Sequence, residues 1–486
     1  MEIHFSEDLP KYKQIVEQFE QMILNGQLQA GDVLPTERDL ARKLSVNRST
    51  VVKAYDELRA TGLVYSKQGS GTKVSDHLWE LIPTKLINWK KLKRMSFSPY
   101  QPIISKMYII NKAADVMDFA TRNLSKGLIP LEQVDSSLVE LTNRSWFFES
   151  DVEVEYDTCF EIAKYVNHYH GIQVNSKHII TTPGVPQAIA LLIYSFLETG
   201  QSVAIECPSF TYRVSYFISS GIKMVRLPVD EEGLIPEAIP DLYKKHRIKM
   251  VFTNPTYQNP TGSTLSLLRR RKLIEICKEL KIPIVELDLT SLLNFNKDRK
   301  PPASLYELDE KNEVVIHVGG MNDVISQNMY LGWIFASPPV LRILGDAVFQ
   351  AGLVPSTITR QFATSFLKNP NLDSIIEHVR CTYRDRKEKF ISTLDKLSIS
   401  EVIPVLSEGG THLWCKHNLP MKDLDFIEIC LKNGVTFIPG SLYGADHGYM
   451  RFSLTWCNEE MIEEGLKRLK KALIQSRSLL QTSLYR

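Results

Sequence analysis

Three groups of residues in this chain could do chemistry. Asn47-Arg48-Ser49-Thr50 puts an amide, a guanidinium and two hydroxyls in four consecutive residues. Such a run suits hydrogen bonding to phosphates and base edges, because arginine can fork to a guanine edge while short polar side chains reach the groove. Asn254-Pro255-Thr256-Tyr257-Gln258-Asn259-Pro260-Thr261-Gly262 carries three amides in a turn-forming frame, and by itself reads equally well as an ordinary turn. Arg451, in Tyr449-Met450-Arg451-Phe452-Ser453, suits either a buried ion pair or a grip on a ligand carboxylate. The seven cysteines are odd in number and scattered without a C-x-x-C pair, so neither a disulfide framework nor a zinc site is expected, and no metal ligand set is assigned.

The first group needs a helix start to present it. Tyr12, Ile15, Val16, Phe19, Met22 and Ile23 recur at helical spacing and predict an amphipathic helix ending near Gly26. Pro35-Thr36 opens a second short helix, with Thr36 as cap and Leu40, Ala41 and Leu44 inward. Asn47 opens a third, accepting from the amide of Ser49 or Thr50, while Val51, Tyr55 and Leu58 bury its back. Two short helices joined by a tight turn, the second with an arginine at its start, is an arrangement that enters a DNA major groove. Residues 62–74 then read as two short strands around a glycine-rich basic hairpin, a wing.

Charge agrees with a polyanion partner for this end of the chain. Residues 36–112 hold 15 Lys and Arg against 6 Asp and Glu, a net of +9 in a chain whose total is only +2. Residues 76–112 lose periodicity and carry Pro83, Pro99, Pro102 and Lys90-Lys91-Leu92-Lys93-Arg94, which reads as a basic interdomain linker. Trp79, Trp89, Phe97 and Tyr100 argue against full disorder there. Beyond it, helical patterns alternate with apolar strands at 179–181, 202–205, 250–253, 284–286 and 314–317. That alternation predicts an α/β domain with a mainly parallel sheet and ligands at the strands' carboxyl ends. The expected division is 1–75, 76–112 and 113–486. With no long apolar span and no signal-like N-terminus, a soluble cytoplasmic chain is expected.

Residues 10–75 resemble the winged helix-turn-helix domain of GntR-type bacterial repressors, through Leu34-Pro35-Thr36-Glu37-Arg38-Asp39-Leu40-Ala41, Val46-Asn47-Arg48-Ser49-Thr50-Val51 and Gln68-Gly69-Ser70-Gly71-Thr72. The resemblance implies contacts to double-stranded operator DNA from Arg38, Arg48, Ser49 and Thr50, and from a wing of Lys67, Gln68, Gly69, Ser70, Gly71 and Thr72. Asn47 caps the recognition helix; Lys53 and Arg59 are read as lying on solvated faces.

The remainder resembles the fold type I aminotransferase half of MocR/GabR-type regulators. Thr182-Pro183-Gly184-Val185-Pro186-Gln187-Ala188 is similar to the turn before the helix that receives a cofactor phosphate. Glu206-Cys207-Pro208-Ser209-Phe210 is similar to the segment whose aromatic stacks on the pyridine ring. Asn259 stands where the family bonds the ring hydroxyl, and Arg451 where it grips a substrate carboxylate.

The departures are equally specific. Asp323 lies nine residues before the Gly332-Trp333 pair, at the position of the Schiff-base lysine, and no lysine occurs between Lys311 and Lys368. Leu287 replaces the aspartate that keeps the ring nitrogen protonated, Thr290 a tyrosine, Gly320 and Asn322 serines, and Tyr330 the phosphate-pairing arginine. Pro186 removes an amide beside the phosphate turn. Asp288 could stand in for the lost aspartate only by a one-residue slip that would turn it to the other face of its strand.

The resemblance therefore implies a homodimeric bacterial transcriptional regulator, located on the nucleoid when bound to DNA. Its body is a pseudo-enzyme for which no cofactor is expected, pyridoxal phosphate being bound only non-covalently or through a non-family lysine, and it serves for dimerisation and for sensing a small acidic or amino-acid effector. The effector pocket is expected to be formed by Gly184, Val185, Phe210, Asn259, Leu287, Thr290, Asp323, Tyr330 and Arg451. The alternative is a regulator or aminotransferase of the intact type, binding pyridoxal phosphate. Without the cofactor, Phe210 and Asn259 become packing and turn residues, and His412 reads as a packed strand histidine.

Overall fold

The computed structural model describes residues 9–24, 28, 31–67, 71–75, 107, 115–121, 124–128, 130–141, 151–296, 301–311, 313–321 and 329–484. The chain divides into two compact units, 1–93 and 94–486. Most of the expected linker, the tip of the wing (Gln68, Gly69, Ser70) and the segment holding Asn322 and Asp323 lie outside the described residues.

In the first unit, helix α1 (Lys11–Leu24) packs with α2 (Glu37–Leu44) and α3 (Arg48–Ala60), followed by a hairpin of β1 (Val64–Lys67) and β2 (Gly71–Val74). Ile15, Phe19, Leu40, Val51, Tyr55 and Leu58 form its core. Phe19 and Tyr55 meet edge to face with centroids 5.9 Å apart. The Tyr55 hydroxyl donates to the Pro35 carbonyl at 2.8 Å, which ties the start of α2 to the middle of α3. Thr36 accepts from the Asp39 amide, and Ser45 closes α2 in a left-handed conformation. Asn47 accepts from the Ser49 amide at 3.3 Å and sets the first turn of α3.

In the second unit a short strand β3 (Met117–Asp118) and helices α4 (Leu131–Leu141) and α5 (Asp151–Tyr169) precede β4 (Ile179–Thr182). There follow α6 (Val185–Phe196), β5 (Ser202–Cys207), β6 (Lys223–Asp230), β7 (Gly233–Leu234), α7 (Ile239–His246), β8 (Val251–Thr253), α8 (Leu267–Leu280), β9 (Ile284–Asp288), β10 (Val315–Gly320) and β11 (Gly332–Phe335). These strands make one eight-stranded sheet in the order β4-β11-β10-β9-β8-β5-β6-β7. The pairs β10/β9, β9/β8, β8/β5 and β5/β6 are parallel, while β11 and β7 run antiparallel to their neighbours.

Along β9 the side chains alternate as the strand period requires. Val285 and Leu287 join the apolar layer that contains α6 and α9 (Pro338–Gln350). Ile284 joins the layer on the other face, with residues of α5, α8 and α10 (Thr357–Leu367). Both faces are covered, which is why the strands read as nearly continuous apolar runs.

Helix α11 (Leu372–Lys396) leads to a four-stranded antiparallel sheet, β12-β13-β16-β15 (Val402–Val405, His412–His417, Tyr449–Ser453, Ile438–Pro439). Helices α12 (Asp423–Lys432) and α13 (Glu459–Leu484) flank it, and β14 (Val435–Thr436) pairs in parallel with β3. All seven cysteines are free thiols.

Candidate functional site

On the first unit the polar start of α3 faces outward. Arg38, Asn47, Arg48 and Ser49 are exposed and Thr50 is half-buried, while Val51, Ala54, Tyr55 and Leu58 anchor the opposite side of the helix. Arg48 Nη2 lies 3.2 Å from Glu37 Oε2, so the guanidinium is held near α2 with its other donors open. The wing base pairs Ser66 with Thr72 and Lys67 with Gly71. Gly71 has φ +76°, where a side chain is strained.

Arg59, read from sequence as lying on a solvated face, is partly exposed and also ties α3 to the wing. It donates to Ser66 Oγ at 3.0 Å and to Asp56 Oδ1 at 2.6 Å. Lys53 stands 4.0 Å from the centroid of the Tyr12 ring.

In the second unit the structure brings several of the expected pocket residues together at the carboxyl ends of the strands. Gly184 caps α6 with φ +108° and no side-chain cap; Pro186 in its first turn has no amide to offer. Gly332 closes on this turn, for a Cβ there would meet the Gly184 carbonyl carbon at 2.8 Å. Gly320 adjoins it as well, its absent Cβ lying 3.3 Å from Val185 Cγ2. Tyr330 follows with φ +45° and is exposed. Leu287, 1% exposed, shares its apolar layer with Val185.

Asn254 joins the other half of the site to this one. Its Nδ2 donates to the Leu287 carbonyl at 2.8 Å and its Oδ1 accepts the Asn259 amide at 2.9 Å. The Asn259 carbonyl in turn accepts the Phe210 amide at 2.9 Å. Asn259 Oδ1 is buried without a hydrogen-bond partner among the described residues. Thr290 is buried, its hydroxyl 3.5 Å from the Tyr257 carbonyl. Arg451 is fully buried in the second sheet, in register with Trp414 and Ile438. His412 is also buried, its Nε2 3.0 Å from the Pro260 carbonyl.

Two polar clusters were not singled out as sites from the sequence. Glu206 is buried and receives the Thr253 hydroxyl at 2.5 Å, the Asn254 amide at 3.0 Å and Gln258 Nε2 at 3.3 Å. Burial pushes its carboxyl up, and these hydrogen bonds offset part of that rise. On the face of β9 opposite Leu287, Asp288 Oδ2 accepts from Ser291 Oγ at 2.6 Å and lies 3.1 Å from His170 Nδ1. The available signal was the period of two along β9, which puts Glu286 and Asp288 on one face. Among the described residues no group of three His, Cys, Asp or Glu could hold a metal ion.

Comparison with known proteins agrees with this two-part organisation. Residues 114–469 match the aminotransferase class I and II family, and residues 11–74 match the bacterial regulatory proteins of the gntR family. The chain belongs to the aminotransferase class I and II family. Its gntR-type head makes the whole a MocR-type arrangement, a DNA-binding winged helix joined to an aminotransferase-like body.

The chain is 28% identical to the HTH-type transcriptional regulator YdfD of Bacillus subtilis, over 95% of this chain and 96% of YdfD. It is 26% identical to the HTH-type transcriptional regulator NorG of Staphylococcus aureus, over 90% and 98%. The aminotransferase domain shares its fold with the α-aminoadipate aminotransferase LysN of Thermus thermophilus, solved with N-(5'-phosphopyridoxyl)-L-leucine. The TM-score is 0.70 at 24% identity, over 81% of this chain and 100% of that one. Kynurenine aminotransferase of Pyrococcus horikoshii gives a TM-score of 0.70 at 22% identity, covering 80% and 97%.

Proposed function

We propose that this MocR-type protein is a cytoplasmic, homodimeric transcriptional regulator whose aminotransferase domain has given up pyridoxal chemistry and serves for dimerisation and effector sensing. The observation that carries the loss of chemistry is Leu287. It stands where a carboxylate is needed to keep the ring nitrogen protonated, and its side chain is buried in an apolar layer. The residues present do not fit the cofactor: Pro186 withdraws an amide from the phosphate turn, Tyr330 supplies no cation in place of the arginine, and Asp323 cannot form an imine. These features support a pseudo-enzyme.

On the DNA side, the exposed starts of α2 and α3 and the wing support operator binding through Arg38, Arg48, Ser49 and Thr50 and through the residues from Lys67 to Thr72. A dimer carrying two such heads reads two half-sites. A ligand that binds one conformation of the body better than another shifts the population, and with it the spacing of the heads. Arg451 stands where the resemblance places a grip on a ligand carboxylate.

A second reading is a regulator that holds pyridoxal phosphate without an imine. It is favoured by Asn259, which keeps a buried unpartnered oxygen beside Phe210. Absorption spectra of the purified protein with added pyridoxal phosphate, before and after borohydride, separate the readings. No imine band is expected. A reducible band mapped to one lysine overturns the proposed loss of chemistry, and saturable binding without a band supports the second reading.

A further inference from the structure

The described residues line a cavity of about 330 Å³ beside Asp288, whose side chain stands on the face of β9 opposite that of Leu287. That volume is in the range of small-molecule sites. Its wall includes Asp288, Ser291, His170 and Arg380, together with apolar contributions such as Ile172 and Ala303.

Asp288 and Arg380 put opposite charges on this wall; Glu286, which also lines it, is occupied by the Leu305 and Tyr306 amides and His317. Asp288 Oδ1 accepts the Ser291 amide at 3.1 Å, and Oδ2 receives the Ser291 hydroxyl and faces His170 Nδ1. Because a bare Nδ1 would set its lone pair against a carboxylate, Nδ1 carries a proton and donates to Asp288. Although burial pushes the Asp288 carboxyl up, the contact with His170, the nearby His317 and the Ser291 hydroxyl together more than offset this and hold it well below the usual carboxylate range. It is therefore an anion at neutral pH with acceptor capacity left on Oδ1. The Arg380 guanidinium is fixed by Glu377 at 2.8 Å through Nη1 and by the Leu292 carbonyl at 3.1 Å through Nη2 and 3.4 Å through Nε. Of its five N–H donors, one on each terminal nitrogen remains. His170 Nε2 is buried without a hydrogen-bond partner among the described residues.

We propose that this cavity binds a small zwitterion of the free amino-acid type, its ammonium on Asp288 and its carboxylate on Arg380. The two partners are pre-positioned by Ser291, His170, Glu377 and the Leu292 carbonyl, so binding orders few protein groups. The ligand's side chain lies against the apolar part of the wall. Apart from Leu287, which also lines it, this cavity shares no residue with the cofactor-like pocket, and Arg451 is not part of its wall; the inference stands whether or not that pocket takes an effector.

The test is calorimetric titration of the full-length protein with the twenty L-amino acids, followed by the amide and the N-acetyl form of whichever binds. Saturable binding is expected for at least one amino acid, with each singly charged analogue weaker by about tenfold or more, as loss of a charge-assisted contact predicts. Ala303→Phe, which fills the cavity and leaves both charges in place, abolishes binding while the thermal midpoint is retained. No binding by any amino acid, equal binding of the singly charged analogues, or binding that survives Ala303→Phe overturns the proposal.

Discussion

Leu287 and Asp288 are neighbours in β9 and face opposite sides of the large sheet, Leu287 in the apolar layer shared with Val185 and Asp288 against His170 and Ser291. The carboxylate that could have replaced the missing one is therefore committed elsewhere. In parallel pairing, Leu287 is in register with Val318 and Asp288 with Gly319, so a one-residue slip would misplace every side chain of a doubly buried strand.

Restoring the aspartate should not restore the site. Leu287→Asp puts an unpaired carboxylate into an apolar layer, which costs about 3–5 kcal/mol. Denaturant unfolding should show that loss, and no reducible pyridoxal band should appear with the variant. An unchanged midpoint would mean that the position is more polar than its packing indicates.

The Asp288 pair makes stability depend on acid pH. A carboxyl whose folded pKa is depressed contributes stability that is present above its unfolded value, about 3.9, and lost as pH falls through the lower folded value. Asp288→Asn should destabilise the body at pH 7 and flatten the acid limb of its stability profile. Unfolding followed from pH 7 down to pH 3 checks both effects.

Lys387 gives the opposite limb. Burial lowers its amine to about 8, and its Nζ is satisfied by the carbonyl and hydroxyl of Ser407. Between that value and the unfolded one near 10.4, the unfolded chain binds more protons, so stability rises with pH across the window. The gain amounts to roughly 3 kcal/mol by the size of the shift. Lys387→Met should remove this rise in a stability series from pH 7 to pH 10.5.

Gly319 faces Trp333 across β10 and β11, and a Cβ there would overlap the indole at Nε1. Trp333 is buried and stacks on Phe335, so the ring cannot withdraw without disturbing that layer. Gly319→Ala should cost about 1–3 kcal/mol through overpacking, read as a lowered thermal midpoint.

Arg48→Ala should weaken operator binding by about 1–3 kcal/mol in a mobility-shift titration. The Arg48–Glu37 ion pair is exposed and is worth about 0–1 kcal/mol at most to folding, so the thermal midpoint should hold. Arg59→Ala acts differently, loosening the wing from α3 through Ser66.

The sequence alone determined what depends on local chemistry. The caps Thr36 and Asn47, the amphipathic face of α1 and apolar strands at 179–181, 202–205, 250–253, 284–286 and 314–317 follow from spacing and residue type, with ends one to three residues off the observed strands. Period along β9 also separated Leu287 from Asp288. Tertiary structure alone decided which groups those residues meet. His170 reaches Asp288 from 118 residues away; Asn254 bridges Leu287 to Asn259; Arg59 ties α3 to the wing. Spacing along a chain sets the face on which a side chain stands, but its partner arrives by the packing of distant elements, where burial requires each polar group to be satisfied.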